Sequence, residues 1–323
     1  MAFPIAIYEF LSLWKLPKLL DRRGGIVHIV RPLRCRISLW HAFLLQPSGF
    51  KEGIEMPNIS LNLDTEALAQ HYEQISVDRQ FKSGKVLLDA LALQPGNSVL
   101  DVGAGTGLLA EYAAGLVGLE GSVAGIDPLP LRIQLAKRKT AQNLSFEVGE
   151  AGDLQRFAEA SFDVVYLNAV FHWILDKPKS LREIFRVLKS GGRLGISTGS
   201  KDHPNLLQTI KAQLLSREPY ASHPEGLNGI SGRVSAAELK QLLTEAGFIA
   251  EKIDVRPNVH FQPTAAAAIE FSQASSFGNL LGHLPIELQE AARTEIEREL
   301  ERLRTAEGIR FESARLIAIA IKP

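Results

Sequence analysis

A single cysteine, Cys35, serves all 323 residues. One thiol cannot close an intrachain disulfide, and with no Cys-x-x-Cys pair the chain cannot build a thiolate metal cage. A reducing, cytoplasmic setting is the expectation, with no metal site. Excess charge of either sign is also missing, because 36 Lys and Arg balance 36 Asp and Glu. That balance argues against a nucleic-acid or acidic-membrane binder. No run of about 18 apolar residues occurs, so a membrane-spanning helix is not expected. Internal repeats and low-complexity tracts are absent as well; "AAAA" at Ala265 to Ala268 is simply good helix-forming sequence. What the chain does have is 46% hydrophobic residues, ample for one large domain or two small ones.

Residues 1–55 read differently from the rest. Trp14 and Trp40, two of the three tryptophans, lie there, basic residues outnumber acidic ones, and no helical or strand period is sustained. The expectation is an irregular or disordered leader, read as an extension upstream of a start at Met56. Glu9, Asp21 and the scarcity of serine fit a transit peptide poorly. No site is placed before Met56.

From Asp64 the pattern becomes regular. "DTEALAQHYEQI" offers Asp64 as an N-cap before helically spaced apolar residues, and "QFKSGKVLLDALAL" is a second amphipathic helix stopping at "QPGN". Five runs of strand composition follow: "SVLDVG", "SVAGID", "LSFEVG", "FDVVYLNAV" and "RLGISTG". Helical stretches such as "LLAEYAAGLVG", "PLRIQLAKRKTA" and "PKSLREIFRVLKSGG" separate most of them. Strand and helix in alternation predict an α/β chain with a doubly wound parallel sheet covered on both faces. "SAAELKQLLTEAGF" is a helix with a capping box, Ser235 and Glu238, and "IAEKIDVRP" a sixth strand. An alanine-rich helix from Thr264 and the charged "PIELQEAARTEIERELERLR" make a helical insertion before a last strand, "ARLIAIAIK".

In an open parallel sheet, ligands bind beyond the carboxyl ends of the strands where strand order reverses, and the first strand-to-helix turn lies there. Here that turn is "DVGAGTG", with glycines at Gly103, Gly105 and Gly107. A dinucleotide fingerprint would put its third glycine at position 108, which is Leu108. Asp101, just before the loop, suits a ligand amino group better than a pyrophosphate, which it would repel. At the end of the second strand, Asp127 stands where a carboxylate accepts bonds from ribose hydroxyls. A nucleoside without a diphosphate is the expected ligand.

"VLDVGAGTG", "VAGIDPLPLRIQLA", "FEVGEAGDL", "FDVVYLNAVFHW" and "EIFRVLKSGGRLGIS" resemble, in order and separation, the motifs of class I S-adenosylmethionine-dependent methyltransferases. The match covers Asp64 to Gly199 well and the remainder loosely. The resemblance implies a Rossmann-like methyltransferase fold of seven strands, the last antiparallel, over residues 56–323. Cap helices would occupy 64–95, the cofactor-binding core 96–200, and a C-terminal half 201–323 with substrate-side helices in 264–305. It implies S-adenosylmethionine as cofactor, with Gly103, Gly105 and Gly107 along its methionine part and Asp101 near its ammonium. Asp127 would hold the ribose, Pro128 and Leu129 would pack beside the adenine, and Glu150 with Ala151 would face the adenine edge. An Asp often occupies the position of Glu150 in the family. Asn168 would contribute contacts at the reacting end.

Methyl transfer from a sulfonium is an in-line displacement, so alignment in a dry pocket is the main requirement and a general base is optional. His172 is the candidate base and Trp173 the candidate platform for the acceptor; Tyr72 and His71 could close over the cofactor. DNA and RNA amino-methyltransferases of related fold carry Asn or Asp, then Pro-Pro and an aromatic, after the fourth strand. This chain has Asn168, Ala169 and Val170 instead, so a small-molecule acceptor is expected and a nucleic acid is not. Within that branch the motifs are similar to ubiquinone and menaquinone biosynthesis methyltransferases and to arsenite methyltransferases. The latter generally hold the metalloid through several thiolates, and Cys35 is the one cysteine here. A nicotinamide-dependent oxidoreductase and a non-catalytic cofactor-binding protein are the rival readings.

Overall fold

The computed structural model describes residues 63–224 and 232–323. Expectations for residues 1–55, including Cys35, fall outside them. Helix α1 (Glu66–Ser76) opens the described chain, and its cap is Thr65, whose Oγ1 accepts from the Leu68 amide at 3.2 Å. Asp64, expected in that role, instead takes two bonds from Arg132, at 3.2 and 3.3 Å, with side-chain exposures of 1% and 4%. A cap contributes about 1 kcal/mol, whereas a buried guanidinium left without its carboxylate costs about 3–5 kcal/mol, so pairing wins.

A π-helical turn, Val77–Phe81, leads into α2 (Lys82–Leu91). Then come β1 (Ser98–Val102), α3 (Leu108–Val117), β2 (Ser122–Asp127), α4 (Pro130–Ala136), β3 (Leu144–Val148), β4 (Phe162–Asn168), α5 (Lys177–Val187) and β5 (Leu188–Gly199). Asp176 caps α5 by accepting from the Lys179 amide at 2.9 Å, and Pro178 sits in the first turn, where a missing N–H costs nothing. The expected helix through "RVLKSGG" stops early. Leu188 turns extended to pair with Phe162, and Lys189 meets Asp163 at 2.8 Å, so the fifth strand starts five residues before "RLGISTG".

Beyond β5 lie α6 (Leu206–Leu215), α7 (Ala236–Glu245), β6 (Ile249–Gln262), α8 (Ala265–Ser275), α9 (Ile286–Glu301) and β7 (Ile309–Ile321). The capping box of Ser235 and Glu238 is present on α7. Seven strands make one sheet in the order β3-β2-β1-β4-β5-β7-β6, parallel except for β7, which runs against both neighbours. Strand order reverses between β1 and β4, so the two loops after these strands border one crevice.

Both sheet faces are packed. Leu100, Val165 and Ile196 meet α5 and α7 on one side, while Val99 and Tyr166 meet α2 and α3 on the other. Burying each such aliphatic side chain contributes about 1.5–3 kcal/mol. The last two strands are longer than their sequence suggests. β5 accompanies β7 only as far as Arg315, yet β6 and β7 stay paired out to Gln262 and Ile309. This two-stranded arm carries its own apolar cluster, in which Ile309 and Phe311 pack with residues of α6, α8 and α9. No helix among the described residues is long and apolar enough to cross a membrane.

Candidate functional site

The loop after β1 is drawn tightly against β2, because the amides of Gly103 and Ala104 both donate to Ile126 O, at 2.7 and 2.9 Å. Gly103 has φ +81°, and a Cβ there would collide with the side chain of Val170. The loop after β4 therefore presses directly on the glycine loop. Gly107 also has positive φ (+82°), but a Cβ on it would lie 2.6 Å from the Phe146 ring. It is not among the lining residues of the cavities described below. A glycine there lets α3 pack closely on β3.

Between the loops opens a crevice of about 400 Å³, within the range of cofactor sites. Gly103, Gly105, Asp127, Pro128, Leu129, Glu150, Ala151 and Asn168 line it, with Tyr72 and Trp173 at its rim. Asp127 anchors the base of the crevice, accepting from the amides of Gly105 and Leu129, each at 2.9 Å. Each carboxylate oxygen keeps further acceptor capacity. Burial raises the Asp127 carboxyl above its ordinary value, and those two amides and Arg132 pull it back.

Asp101 lies behind the loop rather than in the main crevice, in a recess of about 50 Å³ that it shares with Tyr72, Gln80 and Asn168. It is 2% exposed and accepts from the Tyr166 hydroxyl at 2.7 Å. Burial pushes its carboxyl up to about 7, against the Tyr166 hydrogen bond and with help from the Asp127 charge. Asn168 donates through Nδ2 to Gln80 O at 3.1 Å, yet its Oδ1 is buried with no partner. An ionisable carboxyl beside an orphaned amide oxygen makes an acceptor-rich recess. That chemistry suits the ammonium of an amino-acid tail.

Tyr72 is held over the loop by two devices. Its hydroxyl donates to Gln80 Oε1, and its ring lies 4.3 Å from the Arg132 guanidinium, which Asp64 fixes and which also bonds Ala274 O at 2.9 Å. α1, α4 and α8 are thereby tied together at one point. His71 does not join Tyr72; it opens into a different depression beside Gln289.

A second cavity, of about 160 Å³, adjoins the crevice and shares the walls Gln80, Ala169, Trp173 and Ser275 with it; we call it the inner cavity. Ala169 adopts φ +61°, a left-handed conformation rare for a residue with a Cβ, at the junction of the two spaces. Trp173 packs on Phe277, ring centres 4.8 Å apart, closing the roof. His172 faces the inner cavity, with Nδ1 3.0 Å from Thr198 Oγ1. Burial, then the charges of Arg233, Arg315 and Lys177, hold its imidazole well below the usual histidine range, so it is neutral at pH 7.

Several lining residues escaped the sequence reading. Gln80 and Arg79 come from the π-helical turn, Arg233 from the segment before α7, His260 from β6 and Arg315 from β7. One signal was available: Arg315 interrupts the apolar run "ARLIAIAIK". A charge in a strand lying between two others needs a reason. Of the two insertion helices, α8 walls the inner cavity through Ala268, Phe271 and Ser272, while α9 contributes no lining residue to it.

The comparisons agree with this geometry. A family model described as a methyltransferase domain matches residues 93–247. The demethylmenaquinone methyltransferase of Lactobacillus johnsonii is 31% identical over 205 residues, 56% of this chain and 81% of that protein. The arsenite methyltransferase of Halobacterium salinarum is 33% identical over 171 residues, 51% of this chain but 40% of its own length. Among solved structures, a chain of the complex between the Haloferax volcanii Trm112 methyltransferase activator and a methyltransferase superposes with TM-score 0.53. The two are 22% identical, covering 82% of this chain and 98% of that one, a likeness of fold.

Proposed function

The chain belongs to the class I S-adenosylmethionine-dependent methyltransferases, and from that premise we propose that it methylates a small molecule. S-adenosylmethionine would sit in the outer crevice and the acceptor in the inner cavity. The observation that supports this most is the confluence of two spaces of unequal size at Ala169 and Trp173. The second space, at about 160 Å³, has room for a small acceptor.

Bound S-adenosylmethionine supplies an electrophilic methyl group: the acceptor's lone pair forms the new bond to carbon while the carbon–sulfur pair stays on sulfur, leaving a neutral thioether. The residues do the rest. Asp127 would hold the ribose, Glu150 and Ala151 would meet the adenine edge, and Leu129, 4% exposed, would pack against it. Asp101 and Asn168 Oδ1 would receive the ammonium. Trp173 orients the acceptor and, with Phe277, keeps water out, which shortens the search for an in-line geometry. An acceptor that loses a proton can give it to His172, whose neutral imidazole engages Thr198 through Nδ1 only.

The test is binding followed by transfer. S-adenosylmethionine and its homocysteine product should stabilise the full chain thermally, and NADH should not, in keeping with Leu108 in place of a third dinucleotide glycine. Methyl-labelled cofactor incubated with a fractionated metabolite extract should then deliver label to a small molecule. Stabilisation by NADH alone would remove the proposal, and tight cofactor binding without any label transfer would favour a non-catalytic binding protein.

A further inference from the structure

The inner cavity has an unbalanced charge. Arg79, Arg233 and Arg315 line it together with His172 and His260, and no Asp or Glu is among its lining residues within the described part of the chain. Elsewhere this fold neutralises a buried guanidinium with a carboxylate, as Asp64 does for Arg132. The three cavity arginines have no such partner among the described residues. Arg79 lies 3.8 Å over the Phe271 ring. Arg233 donates through Nη1 to Gln208 Oε1 at 2.7 Å, and its Nε is buried without an acceptor. Arg315 donates to two hydroxyls, Ser83 Oγ and, at 3.1 Å, Ser197 Oγ.

Holding these groups together is costly. Burial, and then the field of Arg315, lower both Arg79 and Arg233 to about 10, and burial lowers Arg315 equally far. The histidines add no charge, since His260 is held down to about 4 by burial and Arg79, and His172 well below its usual range by burial and then by Arg233 and Arg315. Room has nevertheless been made for the charges. A Cβ on Gly199, at the end of β5, would lie 2.9 Å from Arg233 Cζ, so a glycine there lets the guanidinium in. Fixed positive charge with no carboxylate partner among the described residues, in a polar space, is what an oxyanion needs, and a guanidinium fork binds carboxylate or phosphate oxygens in pairs.

We propose that the inner cavity is an oxyanion site, and that the methyl acceptor is a small organic anion whose charged group lies among Arg79, Arg233 and Arg315. The anionic group anchors the molecule, and its nucleophilic atom faces the junction at Ala169 and Trp173. This deepens the methyl-transfer reading and rests on it only for the statement that the anion is the acceptor.

The experiment has a binding arm and a transfer arm. In the first, the full chain is titrated with acetate, succinate and inorganic phosphate, against sodium chloride at matched ionic strength, by thermal shift and calorimetry. At least one oxyanion should raise the melting temperature by several degrees beyond chloride. Preference for the carboxylates marks a carboxylic acid, and preference for phosphate marks a phosphate ester. Arg233→Met and Arg315→Met should weaken that binding tenfold or more while S-adenosylmethionine binding stays within twofold of the wild type. Arg79→Met, which loses only a ring contact, serves the same purpose should either variant fail to fold. No oxyanion exceeding chloride, or undiminished binding in the arginine variants, would overturn the proposal. In the transfer arm, the labelled product should be retained by an anion exchanger at neutral pH, and a neutral labelled product would overturn it. Oxyanion binding without label in any fraction would instead uphold the site and sink the methyl-transfer reading.

Discussion

Asp101→Asn should make the free protein more stable and the cofactor-bound protein weaker. In the unfolded chain the carboxyl titrates near 3.8, and in the folded chain near 7, because burial outweighs the Tyr166 hydrogen bond. Between those values the native state holds a proton that the unfolded state has released. Stability from this group is therefore full below about pH 4 and lost progressively as pH rises to about 7. A displacement of about three units at 1.36 kcal/mol each sets a ceiling of about 4 kcal/mol on the loss. Roughly 2–3 kcal/mol of it falls between pH 5 and pH 8.

Asparagine has the same shape, can accept the same Tyr166 bond through its oxygen, and does not ionise. The unfolding free energy of the variant, measured by urea titration at pH 5 and pH 8, should thus gain on the wild type by roughly 2–3 kcal/mol across that interval. Other titrating groups cancel in the difference. A difference that is flat between the two pH values would refute the assignment of a perturbed carboxyl. The binding side runs oppositely. A cationic ligand head favours ionised Asp101, so wild-type affinity for S-adenosylmethionine should rise as pH rises through about 7, and the variant's should be weaker and independent of pH in that range.

Asp127→Ala removes a charged acceptor that also fixes the Gly105 and Leu129 amides, and calorimetry should show cofactor affinity reduced about ten- to a hundredfold; unchanged affinity in a folded variant would remove its role. Arg132→Met strands the buried Asp64 carboxylate and should cost about 3–5 kcal/mol in urea unfolding, with part restored in the Asp64→Asn, Arg132→Met double variant. Gly107→Ala needs both a positive φ and 2.6 Å clearance from Phe146, so it should lower stability by about 1–3 kcal/mol, and loss of binding alone would show that the residue touches ligand after all. His172→Ala should lower kcat without removing an ionisation near neutral pH from its profile, because burial already holds His172 neutral at pH 7.

The lining of the crevice and its recess was legible because it is local. Asp101, Gly103, Gly105, Asp127, Glu150 and Asn168 each lie at or just beyond the carboxyl end of a strand whose composition is unmistakable, and a parallel sheet brings all such strand ends to one edge. Reading fell short where two causes compete for one residue type. Gly107 looked like a ligand glycine, but position alone does not distinguish a backbone that must approach a ligand from one that must approach Phe146. Asp64 looked like a cap because its partner, Arg132, lies 68 residues away. The second cavity was not legible at all, since Arg79, Arg233, His260 and Arg315 come from four separate elements that only the fold brings together. Yet one charge was in view: Arg315 opens the apolar run of a strand lying between two others and has to reach somewhere polar, and in this topology the polar place is the cavity that adjoins the crevice at Ala169 and Trp173.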